Sequence, residues 1–181
     1  KKIARTLSAF ANTEGGRLLI GVKDNGKIAG CNPDEEFHMI EGAAEMYCFP
    51  PVQFESFVHQ EGFRLVLEIV VEKAEKRIVK ANNENGKPRL YFRKEDQTIE
   101  VNKILKRVWM HEDKVTKRPS VFDEEALTFL KVFSDEAISL SRVYRASGMD
   151  KSRVDEILPK FIFWGLVKMN FEATRISYSL P

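Results

Sequence analysis

The sequence predicts an α/β unit built on a mixed sheet, followed by a small helical unit closed by a β-hairpin. Three observations predict it. Helical and strand periodicities alternate over residues 1–113. A basic, proline-ended stretch at 114–120 separates this part from the rest. Residues 121–181 then read as three helices and two strands. The chain has 181 residues, 43% of them hydrophobic and 31% charged, which is the composition of folded globular units rather than of disordered chain.

The elements follow in order. Ile3, Leu7, Phe10 and Ala11 recur at the spacing of one helix face, so a helix is expected near 2–12. Asn12-Thr13-Glu14-Gly15-Gly16 stops it, with glycine suited to the left-handed position past a helix end. Arg17–Val22 reads as a buried strand. Asp24-Asn25-Gly26 is a hairpin signal, with Lys27–Gly30 as a short return strand. A helix is expected near 34–48, opened by Asp34-Glu35-Glu36 and ended by Phe49-Pro50-Pro51. Val52–His59 and Phe63–Val71 are β runs joined by Gln60-Glu61-Gly62. Ala81–Lys87 is a polar loop and Arg89–Arg93 a short strand. Ile99, Leu105, Val108 and Trp109 give a helix near 98–111.

In the second unit, Asp123–Phe133, Ser141–Ser147 and Asp150–Phe163 read as helices, the second capped by Ser139 or Ser141. Pro159 lacks an N–H and is expected to kink the third helix or to begin a new turn in it. Leu166–Met169 and Arg175–Leu180 are strands about a turn near Asn170–Thr174. Three helices and a hairpin in this order are those of a small winged helix-turn-helix domain.

The formal net charge is +2. Its distribution is uneven: residues 73–94 hold eight basic and two acidic side chains, and residues 119–181 hold eight and nine. The basic segment is suited either to phosphate or to solvent. No apolar run approaches the ~20 residues of a membrane span, and two cysteines exclude a disulfide scaffold. A cytoplasmic location without membrane contact is expected.

Ser8-Ala9-Phe10-Ala11-Asn12-Thr13-Glu14-Gly15-Gly16-Arg17-Leu18-Leu19-Ile20-Gly21-Val22 resembles the signature of the Schlafen-type, Alba-like domain family. Asp24, Gly26 and Gly30 complete the pattern, and Tyr91-Phe92-Arg93 matches a later aromatic-arginine element. The resemblance covers about residues 1–110 and implies an Alba-like fold that binds DNA. Family members often carry a C-terminal winged helix, which fits 121–181. The family also begins with a strand and a glutamate-rich motif upstream of the first helix. Nothing lies upstream of Lys1 here, so that N-terminal strand is expected to be missing from this chain. In Schlafen-type ribonucleases two glutamates of that segment join an aspartate to hold a metal. Asp24 matches the aspartate, so Mg²⁺ and catalysis enter only under that alternative.

Asn12, Thr13, Gly15 and Gly16 either shape a tight turn or expose N–H groups to phosphate as a backbone nest. Gly21–Lys27 nearly spells a phosphate loop, but Ile28 stands where the metal-binding hydroxyl belongs, and a hairpin rather than a helix is expected there. Asp24 is a turn residue or a lone carboxylate ligand. Lys23 and Lys27 flank the turn. On a strand, Arg89, Tyr91 and Arg93 share a face that can meet phosphates and stack a base; alternatively Tyr91 packs into the core and Phe92 faces outward. In the second unit, Lys151, Ser152 and Arg153 open the third helix, where base edges are read. Arg142, Arg145 and Arg175 are suited to phosphate. The unit serves either DNA contact or protein contact such as homodimerisation. The functional expectation is a non-enzymatic nucleic-acid-binding protein, DNA ahead of RNA, acting as a transcriptional regulator without a cofactor. The alternatives are the metal-dependent endoribonuclease and the interaction module.

Overall fold

The computed structural model describes residues 1–76, 78–112, 117–172 and 175–181. Arg77 of the basic segment, Asp113, residues 114–116 of the expected linker and Ala173-Thr174 of the expected wing turn lie outside them. The chain divides into two compact units, Lys1–Glu100 and Val101–Pro181.

The first unit opens with α1 (Lys2–Ala11), whose Ala4, Leu7 and Phe10 are buried. Next come β1 (Gly16–Ile20), α2 (Pro33–Tyr47), β2 (Cys48–Phe49), β3 (Glu55–Glu61), β4 (Arg64–Val71), β5 (Lys80–Asn82), β6 (Pro88–Lys94) and β7 (Gln97–Glu100). Proline at the first turn of α2, with Asp34, Glu35 and Glu36 beside it, suits the unpaired N–H groups and dipole of a helix start. The strands make two sheets, β1-β4-β3 and β2-β5-β6-β7, in which every neighbouring pair is antiparallel. The expected mixed sheet is therefore corrected. β3–β4, β5–β6 and β6–β7 are joined by tight turns, which need no parallel crossover. Leu67, Ile69 and Val71 of β4 alternate inward to meet α1 residues, Ile40 and Ala44 of α2, Val79, Ala81 and Tyr91 in one core.

Two further expectations are corrected. The helix expected from 98 begins only at Lys103 (α3, Lys103–Glu112), because Gln97–Glu100 pairs with β6 as a strand. The polar loop at 81–87 gives up Ala81 and Asn82 to β5, and Asn83–Gly86 forms the turn.

The second unit contains α3, α4 (Glu124–Leu130), β8 (Ile138–Ser139), α5 (Leu140–Ala146), α6 (Lys151–Phe163), β9 (Lys168–Glu172) and β10 (Arg175–Ser179). The sequence reading placed α3 with the first unit, up to residue 113; in the structure α3 packs on α6 and falls within the second. Asp123 caps α4 by accepting from the Ala126 N–H, and Ser139 caps α5 by accepting from Arg142 N–H. β8, β10 and β9 form a third antiparallel sheet. Helix α6 runs through Pro159 without ending. Its Val154, Ile157, Leu158 and Phe161 meet Phe129, Phe133, Val143 and Tyr178 in a second core.

Candidate nucleic-acid interface

The glycine-rich signature after α1 is fastened internally. The Asn12 side chain is fully buried. Its Nδ2 donates to Val79 O at 2.7 Å and to Tyr91 O at 2.8 Å, and its Oδ1 accepts from Val79 N–H at 3.0 Å. Thr13 Oγ1 donates to Ala9 O and accepts from Arg93 N–H, each at 2.8 Å. The N–H groups of Asn12, Thr13 and Gly15 go to the carbonyls of Ser8 and Phe10. Donors already spent on carbonyls cannot cradle a phosphate, so the nest reading is corrected. The glycines are there for space. Gly15 sits at φ +78°, and a Cβ on Gly16 would lie 2.4 Å from the Phe10 ring.

The turn at Asp24-Asn25-Gly26 closes as expected. Lys23 N–H donates to Lys27 O at 2.9 Å, Gly26 N–H to Lys23 O at 2.8 Å, and Val22 bridges Ile28. No helix starts at Lys27; the next one begins at Pro33. A phosphate loop is thus ruled out by geometry. Lys23, Asp24 and Lys27 are exposed on the turn. Among the described residues no three His, Cys, Asp or Glu side chains gather into a set that could hold a metal ion. Asp24 has no such ligand partners there.

The β6 face differs from the expected cation–aromatic surface. Tyr91 is 4% exposed and lies in the core, and burial raises its phenol above its ordinary pKa. A ring in that position cannot stack a base. Phe92 on the opposite face is buried as well. Arg93 is half-buried: its guanidinium lies 5.4 Å from the Phe10 ring centroid and donates to Thr98 Oγ1 and Glu95 O. Arg89 is exposed beside Glu100, at 3.5 Å.

In the second unit, Arg153 is committed to acids. Its guanidinium grips both Glu125 oxygens from α6 to α4 and also reaches Glu156 at 3.1 Å. These carboxylates hold the arginine proton more tightly than usual, and Arg153 in turn holds the Glu125 carboxyl below its ordinary range. Arg153 is therefore not a free base reader. Lys151 and Ser152 remain exposed on the first turn of α6. Arg145, at the end of α5, and Arg175, at the start of β10, are also exposed. Arg142 stands 3.5 Å from Glu136 at the surface, a pair worth little.

Two polar clusters escaped the sequence reading. Glu68, in the middle of β4, takes Arg17 at 3.2 Å and His59 Nε2 at 2.7 Å on the outer face of its sheet. Asp155, buried in α6, takes Lys103 at 2.7 Å and the Tyr144 hydroxyl. A charge at a buried helix position was the one sequence signal for Asp155. Glu68 interrupts an apolar strand in the same way.

The first unit is thus a small α+β body in which two antiparallel sheets close around one helix latched by its own signature motif. The chain belongs to the Schlafen, AlbA_2 family, whose model matches residues 1–102. Membership of that family points to a nucleic-acid-binding role. No curated protein matches the chain. Among solved structures, the crystal structure of the DIP2311 protein from Corynebacterium diphtheriae is similar at 19% identity and a TM-score of 0.45, over 72% of this chain and 24% of that one. This chain therefore spans less than two thirds of that protein's length. No helix among the described residues is long and apolar enough to cross a membrane.

Proposed function

We propose that this protein is a non-enzymatic, DNA-binding transcriptional regulator whose second unit is a winged helix. The observation that carries the reading is the order α4, β8, α5, α6 and a β9–β10 hairpin, with Lys151 and Ser152 exposed on the first turn of α6 and Arg145 exposed at the end of α5. In winged helices the third helix enters the major groove with its N-terminal residues at base edges. Lysine and serine both bond to those edges. Arg145 and Arg175 would then meet phosphates, and neither has an ion-pair partner among the described residues. Lys23 and Lys27 give the first unit a second, smaller place for phosphate. Glu125 and Glu156 compensate Arg153, so direct reading falls to Lys151 and Ser152. Affinity should be modest and carried mainly by phosphate contacts.

Fluorescence anisotropy on labelled duplex DNA, over a salt series, tests this. Counterion release makes log K fall with log salt by about 0.9 for each phosphate neutralised. Replacing Arg145 and Arg175 together by Ala should weaken binding and flatten the slope by about two units. Arg93→Ala should leave binding unchanged. No binding at low salt, or an unchanged slope in a folded double variant, would overturn the reading.

A further inference from the structure

Strand β3 is the outer strand of its sheet. One edge is bonded to β4 from Glu55↔Val70 to Glu61↔Arg64, and the other meets no strand among the described residues. Every residue of β3 is exposed. An open edge offers a row of N–H and C=O groups to any further strand, and proteins blunt such edges with lysine, proline or a bulge. The sequence Glu-Ser-Phe-Val-His-Gln-Glu contains neither lysine nor proline. Its pairing with β4 is residue for residue, so there is no bulge. Phe57 and Val58 are 46% and 58% exposed. Side chains alternate along a strand, so these two leave apolar area open on both faces.

We propose that this edge is a self-association surface. β3 pairs antiparallel with β3 of a second copy, giving one six-stranded sheet in the order β1-β4-β3-β3-β4-β1. A two-fold axis through the sheet places each residue opposite one of the same face. Centred on Phe57, the register sets the two Phe57 rings side by side and Glu55 opposite His59 of the second copy, twice over. Ser56 and Val58 meet on the other face. Centred on Val58 instead, it would set Glu55 against Glu61, and like charges directly opposite are unfavourable. His59 uses Nε2 on Glu68 and leaves Nδ1 without a partner among the described residues. Nucleic acid is a poor occupant, because Glu55, Glu61 and Glu68 line this pair of strands.

The inference stands apart from the DNA reading, and so does its test. Light scattering on the full chain, from micromolar to near-millimolar concentration, should show mass rising from 20.9 kDa toward twice that value. Phe57→Lys should return it to the mass of one chain with an unchanged circular dichroism spectrum. Residues directly opposed across antiparallel strands have Cα atoms about 4.5–5.5 Å apart, within disulfide reach. Phe57→Cys should therefore link two chains on mild oxidation, whereas Val58→Cys, displaced by two residues from its copy, should not. A single-chain mass throughout, a folded Phe57→Lys that still dimerises, or linkage through Cys at 58 but not at 57 would overturn the proposal.

Discussion

Replacing Asn12 by Ala should unfold the first unit more easily, and the structure sets the size of the effect. The substitution removes three short hydrogen bonds at a site with no solvent access. Val79 N–H loses its acceptor and, as a buried unsatisfied donor, costs about 1–3 kcal/mol. The carbonyls of Val79 and Tyr91 each lose a bond worth about 0.5–1.5 kcal/mol, though Val79 O keeps the Ser8 hydroxyl at 2.8 Å. The total is about 2–6 kcal/mol, against the ~5–15 kcal/mol that holds a typical domain folded. Asn12→Asp should cost more, because it turns a carboxylate oxygen on two carbonyls and buries its charge. Urea unfolding followed by circular dichroism measures the loss. Both tryptophans, Trp109 and Trp164, lie in the second unit, so their fluorescence reports on that unit alone. Hydrogen exchange should show Val79 N–H losing protection. A loss under about 1 kcal/mol, or an unchanged Val79 exchange rate, would refute the latch, since even one orphaned buried donor costs that much.

Other outcomes follow from the same contacts. Gly16→Ala should cost about 1–3 kcal/mol in the same urea assay, because its Cβ would enter the Phe10 ring and overpack the core. The Asp155 carboxylate holds the Lys103 ammonium proton to higher pH than a free lysine, and burial raises the Tyr144 phenol. Both folded pKa values lie above the unfolded ones, so this stability is present below about pH 10 and falls away as pH rises through the folded values. The thermal midpoint of the parent should drop above that pH more steeply than that of Asp155→Asn. Burial pushes the Cys48 thiol up to about 12, and its Sγ lies against Ala4 O at 3.3 Å. A thiol reagent at mildly alkaline pH should therefore spare Cys48 in the native chain and label it only after denaturation.

What was legible in the sequence was local. Asp24-Asn25-Gly26 carries its turn within three residues, and Asp123 and Ser139 sit within three residues of the N–H groups they cap. Helix α1 follows from its periodicity, α2 from its acidic first turn and the prolines after it, and β3 and β4 from runs of Val, Ile, Leu and Phe. β7 was not legible. The turn before it uses Glu95 at φ 53° where glycine is the usual signal, so nothing marked the break. Ile99 was grouped with Leu105 and Val108 as one helix, although it stands 6 and 9 residues from them, off a shared helix face, and belongs to a strand. At the site the failures were tertiary. Asn12 finds its partners 67 and 79 residues away, and Arg153 finds Glu125 28 residues away. No spacing rule reaches that far.

The family signature and the proposed binding surface are therefore different sets of residues. Asn12 and Thr13 spend their side chains on the carbonyls and N–H groups of neighbouring elements, and Gly15 and Gly16 make room for Val71 O and the Phe10 ring. The motif fixes where α1 lies against β5 and β6, and so sets the frame of the first unit. A substitution in the motif should thus change stability first and binding only through loss of fold. A substitution at Lys23, Lys27, Arg145 or Lys151 should change binding without moving the unfolding midpoint. Measuring urea midpoints and DNA anisotropy on both sets separates the two roles. If Thr13→Val kept its stability but lost DNA binding, the signature itself would be the contact, and the internal hydrogen bonds seen here would not describe its work.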